Sequence, residues 1–164
     1  MRQALIFLQS QLNSDAIETK RQIQFLGLIG GYARMLHDFT LAQQALTSAI
    51  ELSELVGDRR LETANRIRLA HVYQWRQDYA MSEKLFEEAI ANCQCDPDLA
   101  YYLDFAYQHI GKCKFDQQQY EAARHYFEAA LSLRRSKGDP SLIDSTQLAI
   151  DTVNRHISTS QHRL

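Results

Sequence analysis

The sequence predicts an all-α protein, a solenoid of about three helical hairpins with a further helix at each end. Apolar residues recur at three- and four-residue steps, the period of an amphipathic helix. One spacing of small and large apolar residues appears three times, about 40 residues apart. The chain has only 2 prolines and 6 glycines in 164 residues, and 45% of its residues are apolar, as in a helical protein with a buried core.

The clearest copy of this spacing lies in the C-terminal half of the chain. Tyr107, Ile110 and Gly111 share one helical face, and Ala123 and Phe127 share a face of the helix that follows. Small residues let two helix backbones approach closely, while Phe127 fills the space beside them. We therefore predict two helices folded back on each other.

The same spacing predicts two hairpins upstream. The equivalent positions hold Ile29, Gly30, Ala42, Leu46 and Ala49 in the first copy, and Leu69, Ala70, Ser82, Phe86 and Ala89 in the second. At the turns, Asp38 and Asp78 are predicted to cap the second helices. Three copies in register are stronger evidence for a repeat than any single match.

Start and stop signals place the other helix ends. Gly57 and Asp58 are predicted to end one helix and cap the next. Aspartate followed by proline, at 96–97 and again at 139–140, marks two further helix starts. The predicted helices are 2–12, 15–37, 39–56, 59–77 and 79–93, then a pair within 97–136, and finally 141–157.

The N-terminal helix, 2–12, has no partner in the repeat. Ala4 and Leu8 have the spacing of a second helix, so the chain opens halfway through a repeat. Ser14 or Asp15 is predicted to start the helix that follows.

The C-terminal helix is predicted to cover the last hairpin with one apolar stripe that includes Ile150 and Val153, and the tail from Ser158 is predicted to fray. The unpartnered helices at the two ends could pair between molecules and give a homo-oligomer.

This pattern resembles the tetratricopeptide repeat family over roughly residues 23–136. The second copy departs from the family at Arg66, where an aromatic residue is usual, and at Ser82, where alanine is usual. The first has Ala33 for tyrosine and Leu46 for phenylalanine. The repeat is about six residues longer than the usual length of about 34, as in kinesin light chains and the sensor domains of bacterial regulators. A HEAT-type repeat ranks second, because the small-x-x-x-Phe spacing favours the first family.

The resemblance implies one domain, 1–164, wound as a right-handed α-α superhelix. Its repeats would span about 15–56, 59–93 and 97–136, with capping helices at 2–12 and 141–157, and the first helices would line a concave groove. The family's inner-face positions fall on Leu28, Gly31, Arg34, Met35, Arg68, His71, Gln74, Trp75, Gln108, His109, Lys112 and Phe115.

Such a groove could hold an extended peptide or a partner helix. Arg34, Arg68 and Lys112 would pair with carboxylates, and Trp75 and Phe115 would give apolar contacts. The alternative is a solvated inner face whose aromatic side chains pack internally.

One partner class is excluded by the resemblance. Relatives that bind chaperone C-termini use a Lys/Asn/Lys/Arg carboxylate clamp. The matching positions here hold Gly27, Gly31, Ala64 and Arg68 in one pair of repeats, and Ile67, His71, Phe105 and His109 in the next.

Glycines 27, 30 and 31 predict close helix packing, or alternatively a ligand lying against bare backbone.

No motif in the sequence predicts a catalytic residue, a cofactor or a metal. Cys93 and Cys95 are predicted to be two surface thiols rather than a metal or redox site, and Cys113 is predicted to be buried. His71 and His109 lack an evident carboxylate to orient them, which disfavours a metal or base role.

Charge and composition bear on partners and location. A net charge of −2 does not favour nucleic acid or an anionic membrane as a partner. The longest N-terminal apolar run, 4–8, is too short for a signal peptide or a membrane span, so we expect a cytoplasmic protein. We predict a non-enzymatic scaffold or adaptor that binds a protein or peptide. The alternative is a peptide-sensing domain like those of bacterial signalling regulators.

Overall fold

A computed structural model describes residues 1–12 and 17–161 of the chain, with side chains to residue 159. The described residues form α-helices and one 3₁₀ helix, with no strand among them. The helices are α1 Arg2–Leu12, α2 Thr19–Met35, α3 Phe39–Leu55, α4 Arg59–Trp75, α5 Tyr79–Cys95, the 3₁₀ helix Pro97–Tyr102, α6 Leu103–Asp116, α7 Tyr120–Lys137 and α8 Pro140–Gln161. No helix in these ranges is long and apolar enough to cross a membrane.

The chain divides into two compact units, Met1–Leu85 and Phe86–Leu164. In the first unit, α2 packs against α1, α3 and α4, and α3 also packs against α4. In the second unit, α7 packs against both α6 and α8. Consecutive helices are thus neighbours within each unit, as a solenoid of helical hairpins requires.

The predicted caps are confirmed at the aspartates. The Leu41 and Leu61 amides donate to the side chains of Asp38 and Asp58 at 3.0 Å, and the Met81 amide donates to Asp78 at 3.3 Å. Each bond satisfies one of the backbone donors left open at the start of a helix.

Five of the turns between helices use a residue in the left-handed region. Gly57 and Gly138 have φ of 69° and 74°, as expected of glycine. His37, Gln77 and Gln118 take φ of 61° to 62°, although they carry a Cβ. After His37, the Asp38 amide donates to the Ala33 carbonyl at 2.9 Å, so Asp38 closes one helix and opens the next.

The first unit contains a core that joins its first three helices. Leu8, Ile29 and Ala45 are buried together, which confirms that α1 presents its apolar side to the repeat. Gly30 lies against the Leu46 side chain so closely that a Cβ at residue 30 would overlap it. The predicted pairing of a small residue with a large one across the hairpin is confirmed here.

The second unit repeats this arrangement between α6 and α7. A Cβ at Gly111 would lie 2.7 Å from the Phe127 ring, closer than carbon atoms can pack. Phe127 and Ala123 also form a buried cluster with Ile150 and Val153, so α8 covers the last hairpin as predicted.

A buried charged cluster fixes the 3₁₀ helix and α6 to α7. Asp104 is fully buried and bonds Arg134 through one oxygen and Lys137 through the other. Lys137 also donates to the Tyr101 carbonyl. No pattern in the sequence predicts this cluster.

Four expectations need correction or fall outside the described residues. The third pair of helices starts at Asp96 as predicted, but its first six residues are a 3₁₀ helix rather than an α-helix. The last α-helix continues to Gln161, so the fraying predicted from Ser158 was wrong over that stretch. Cys93 is 2% exposed, so the prediction of two surface thiols holds only for Cys95. The predicted start at Ser14 or Asp15 lies outside the described residues.

Candidate functional site

The candidate site is the α2/α4 face, which we define as the surface of the first unit formed by Leu28, Gly31, Arg34 and Met35 of α2 with Arg68, His71 and Trp75 of α4. Leu28, Gly31 and Met35 are spaced at three and four residues, so they follow one line along α2. Leu28, Met35 and Trp75 are 43%, 46% and 43% exposed. Three large apolar side chains therefore remain in contact with solvent on one face.

Arg34 and Trp75 are in direct contact at this face. The Arg34 guanidinium carbon lies 4.6 Å from the centre of the Trp75 ring, a cation–π arrangement between α2 and α4. Partial burial lowers the pKa of Arg34 from its ordinary value. The ring of His37, in the turn after α2, lies 5.4 Å from the Trp75 ring.

Two glycines of α2 have different surroundings. A Cβ at Gly27 would lie 2.5 Å from Asn65 Oδ1 and 2.8 Å from Arg68 Nη1, so glycine permits the close approach of α4. No heavy atom of a neighbouring element lies within 4 Å of the place where a Cβ at Gly31 would stand. Close packing thus explains Gly27, whereas Gly31 presents bare helix backbone to open space.

Asn65 orients Arg68 beside Gly27. The Arg68 Nη1 atom donates to Asn65 Oδ1 at 2.7 Å, and the asparagine side chain is fully buried. An aliphatic residue at position 65 could not make this bond, so the amide contributes to the direction of the Arg68 side chain.

A separate cavity of about 210 Å³ lies between α1, α2 and α3. Its lining includes Gln9, Leu12, Leu26, Ile29, Leu41, Gln44, Ala45 and Ser48. Leu26 and Ile29 lie on the side of α2 opposite Leu28 and Gly31, by helical periodicity. None of these lining residues is charged, so the α2/α4 face is the better site for a ligand that carries charge.

The remaining predicted residues have varied surroundings. Gln74 is 7% exposed and Gln108 is 3% exposed, while Lys112 is exposed. The His109 ring stacks on Phe86 at 6.5 Å. Their contribution to binding stays a prediction, and the two glutamines offer little surface to a partner.

Phe115 is part of an aromatic group rather than an open surface. Its ring lies 5.4 Å from Tyr120 and 5.2 Å from His156, next to the core of the second unit. For Phe115, the aromatic side chain packs internally, which is the alternative to a binding role that the sequence allows.

Two residues that contact the α2/α4 face, Asn65 and His37, were not predicted from the sequence. Asn65 is a lone amide on the buried side of α4, and such a residue signals a specific hydrogen bond. His37 precedes a capping aspartate in a turn, and no sequence signal connects it with Trp75.

Comparisons with known proteins identify the family of the repeats and the fold. The sequence model described as "Tetratricopeptide repeat" matches residues 60–136, which hold most of the second copy and all of the third. Residues 60–136 belong to the tetratricopeptide repeat family.

Within residues 1–12 and 17–161, no group of three His, Cys, Asp or Glu side chains is placed to hold a metal ion.

A human relative has the repeat in its name. The human "SH3 domain and tetratricopeptide repeat-containing protein 2" is 30% identical over 122 residues, covering 72% of this chain and 10% of that protein. The chain therefore spans about a tenth of the length of this relative.

A solved structure is similar over nearly the whole chain. BtubC (BKLC) from P. vanneervenii superposes with a TM-score of 0.73 at 17% identity, covering 98% of this chain and 65% of BtubC. At this identity the similarity shows the fold. The two chains therefore share a helical arrangement that extends beyond residues 60–136.

Proposed function

We propose that the protein is a non-enzymatic interaction domain that binds a peptide segment of a partner protein on the α2/α4 face. Tetratricopeptide repeats generally mediate protein–protein interaction. The observation that carries this proposal is the contact between Arg34 and the half-exposed Trp75, beside the bare backbone of Gly31.

The three features suit a peptide in different ways. Aromatic residues and arginine are the side chains most often found where binding energy is concentrated. The exposed Leu28 and Met35 extend the apolar line along α2 on both sides of Gly31. Gly31 itself lets a ligand approach the helix more closely than any side chain would permit.

The test selects peptides from a random library displayed on phage against the folded protein. Trp75 is the only tryptophan in the sequence, so its fluorescence reports directly on the α2/α4 face. We expect selected peptides to change the Trp75 emission, and we expect Gly31→Leu to weaken their binding. Failure to enrich any peptide that changes this emission would contradict the proposal.

A matched control distinguishes binding at this face from nonspecific binding to any exposed apolar side chain. Leu55 is 81% exposed at the end of α3, in the same unit. Leu55→Ala should leave peptide affinity unchanged, whereas Trp75→Ala should weaken it, as measured with a labelled peptide. Equal affinities for the two variants would remove the α2/α4 face as the binding surface. Thermal unfolding by circular dichroism checks that each variant is folded.

A further inference from the structure

Arg34 differs from the other buried or half-buried arginines whose contacts are resolved. Arg66 bonds both Glu54 and Glu62, at 3.2 and 2.8 Å, and Arg134 bonds Asp104 at 2.9 Å. For Arg34, no carboxylate within ion-pair distance occurs among the residues that the structure describes, and its guanidinium rests on the Trp75 ring.

Asp38 is the acidic residue nearest to Arg34 in the sequence, and its side chain bonds a different group. Asp38 follows Arg34 by four residues, a spacing that often allows an ion pair on a helix. Its carboxylate instead accepts the Leu41 amide at 3.0 Å and caps α3. A partly desolvated cation without a carboxylate gains from an incoming anion more than a fully hydrated one, because less water must be displaced.

We propose that Arg34, held on Trp75, binds the side-chain carboxylate of an aspartate or glutamate in the partner peptide. This inference rests on the proposed function and names the chemistry of its ligand. The guanidinium carbon lies 4.6 Å from the centre of the Trp75 ring, and in this proposal the guanidinium donates two parallel hydrogen bonds to one carboxylate. Gly31, one turn before Arg34 on α2, leaves room for the main chain of the peptide.

The carboxylate comes from a side chain rather than from a peptide C-terminus. Exposed surface continues beyond Arg34 to Met35 and to the His37 ring, which contacts Trp75. The peptide can therefore run past Arg34 in both directions.

The test is a double-mutant cycle with a fluorescein-labelled peptide from the phage selection. The peptide and a copy with its acidic residue changed to the amide are titrated against the wild-type protein and Arg34→Gln. We expect either single change to reduce the binding affinity about tenfold or more. When both changes are made, the affinity should fall little further. A copy with an amidated C-terminus should bind as well as the free acid.

Arg21→Gln is the matched control. Arg21 also lies on α2 and over an aromatic ring, with its guanidinium 5.4 Å from the Phe25 centre, but Phe25 packs against the core with α1. This variant should bind both peptides as the wild type does.

Each other outcome has a defined meaning. The carboxylate site at Arg34 would be overturned if the two changes reduced the affinity additively. It would also be overturned if the selected peptides had no acidic residue, or if only C-terminal amidation reduced the affinity. Binding that Trp75→Ala abolishes would still support the proposed function in those cases. If no selected peptide binds the α2/α4 face, the proposed function itself fails.

Discussion

Arg134 and Asp104 form a buried ion pair, in which Arg134 Nε donates to Asp104 Oδ2 at 2.9 Å. The same guanidinium donates to Thr146 Oγ1 at 2.6 Å and to the Leu142 carbonyl at 3.3 Å, both in α8. Lys137 bonds the second oxygen of Asp104. One carboxylate therefore links α6 to α7, and one arginine links both to α8.

We expect Arg134→Met to lower the free energy of unfolding by about 3–5 kcal/mol, because removing one partner leaves Asp104 buried with less compensation. Urea denaturation measures the change. Arg124→Met is the matched control, since Arg124 pairs with Glu121 on the surface at 2.6 Å. It should cost less than about 1 kcal/mol. Equal losses of stability in the two variants would show that the buried ion pair stabilises the protein no more than the surface pair does.

Gly30 and Gly31 are adjacent in α2 but should respond in opposite ways to alanine. Gly31→Ala should raise the free energy of unfolding by up to about 1 kcal/mol, because alanine favours the helix and the space is open. Gly30→Ala should be about 1–3 kcal/mol less stable than Gly31→Ala, because its Cβ would overlap Leu46. Thermal and urea unfolding of both variants would show the difference, and equal stabilities would contradict the tight packing at Gly30.

The left-handed residues in the turns predict a pair of opposite effects. Gln118 has φ of 61°, so Gln118→Gly should stabilise the protein by about 0.5–1 kcal/mol through relief of backbone strain. Gly138 has φ of 74°, so Gly138→Gln should destabilise it by a similar amount. Both changes in the free energy of unfolding are measured from the midpoints of urea denaturation, provided that the m-value is the same in each variant. A loss of stability for Gln118→Gly would mean that the glutamine makes a compensating contact.

The three cysteines should differ in reactivity. Burial, followed by the nearby Asp96 carboxylate, raises the pKa of Cys93 to about 11, and Cys113 is fully buried, while Cys95 is exposed. Because the thiolate is the reactive form, iodoacetamide at pH 8 should modify one thiol of the folded protein. Mass spectrometry should locate the label on Cys95, and Cys95→Ser should abolish it. Rapid labelling of Cys93 would contradict its burial.

The raised pKa of Cys93 also gives stability a pH dependence. The unfolded chain loses this proton near pH 9, whereas the folded protein keeps it until about pH 11. The unfolded state therefore binds fewer protons in that interval, and the Cys93 contribution to stability falls as pH rises through it. Urea unfolding of Cys93→Ala should show a weaker decline than the wild type between these pH values.

The hairpins could be predicted because their signals are local. Asp38, Asp58 and Asp78 cap helices in any fold that contains those helices, and the pairing of Gly111 with Phe127 follows from a spacing that occurs three times. The 3₁₀ start at Pro97 was missed, because the same Asp-Pro signal opens either type of helix.

The site was only partly predictable, because exposure depends on neighbours that are distant in sequence. The resemblance to the family places both Gln74 and Trp75 on the inner face, yet Gln74 is 7% exposed and Trp75 43%. Cys93 and Cys95 look equivalent in sequence, and only Cys95 reaches solvent.

The sequence by itself determined the helices, their caps and the pairing of small with large residues, because these depend on interactions across a few residues or on a regular repeat. Only the tertiary structure decided that Arg34 rests on Trp75, that Asn65 holds Arg68 and that Asp104 is enclosed by two cations. The first and last of these contacts join different helices, and the bond between Asn65 and Arg68 lies within α4, where both side chains face Gly27 of α2. Their geometry depends on how closely the backbones pack, a distance that no local pattern encodes.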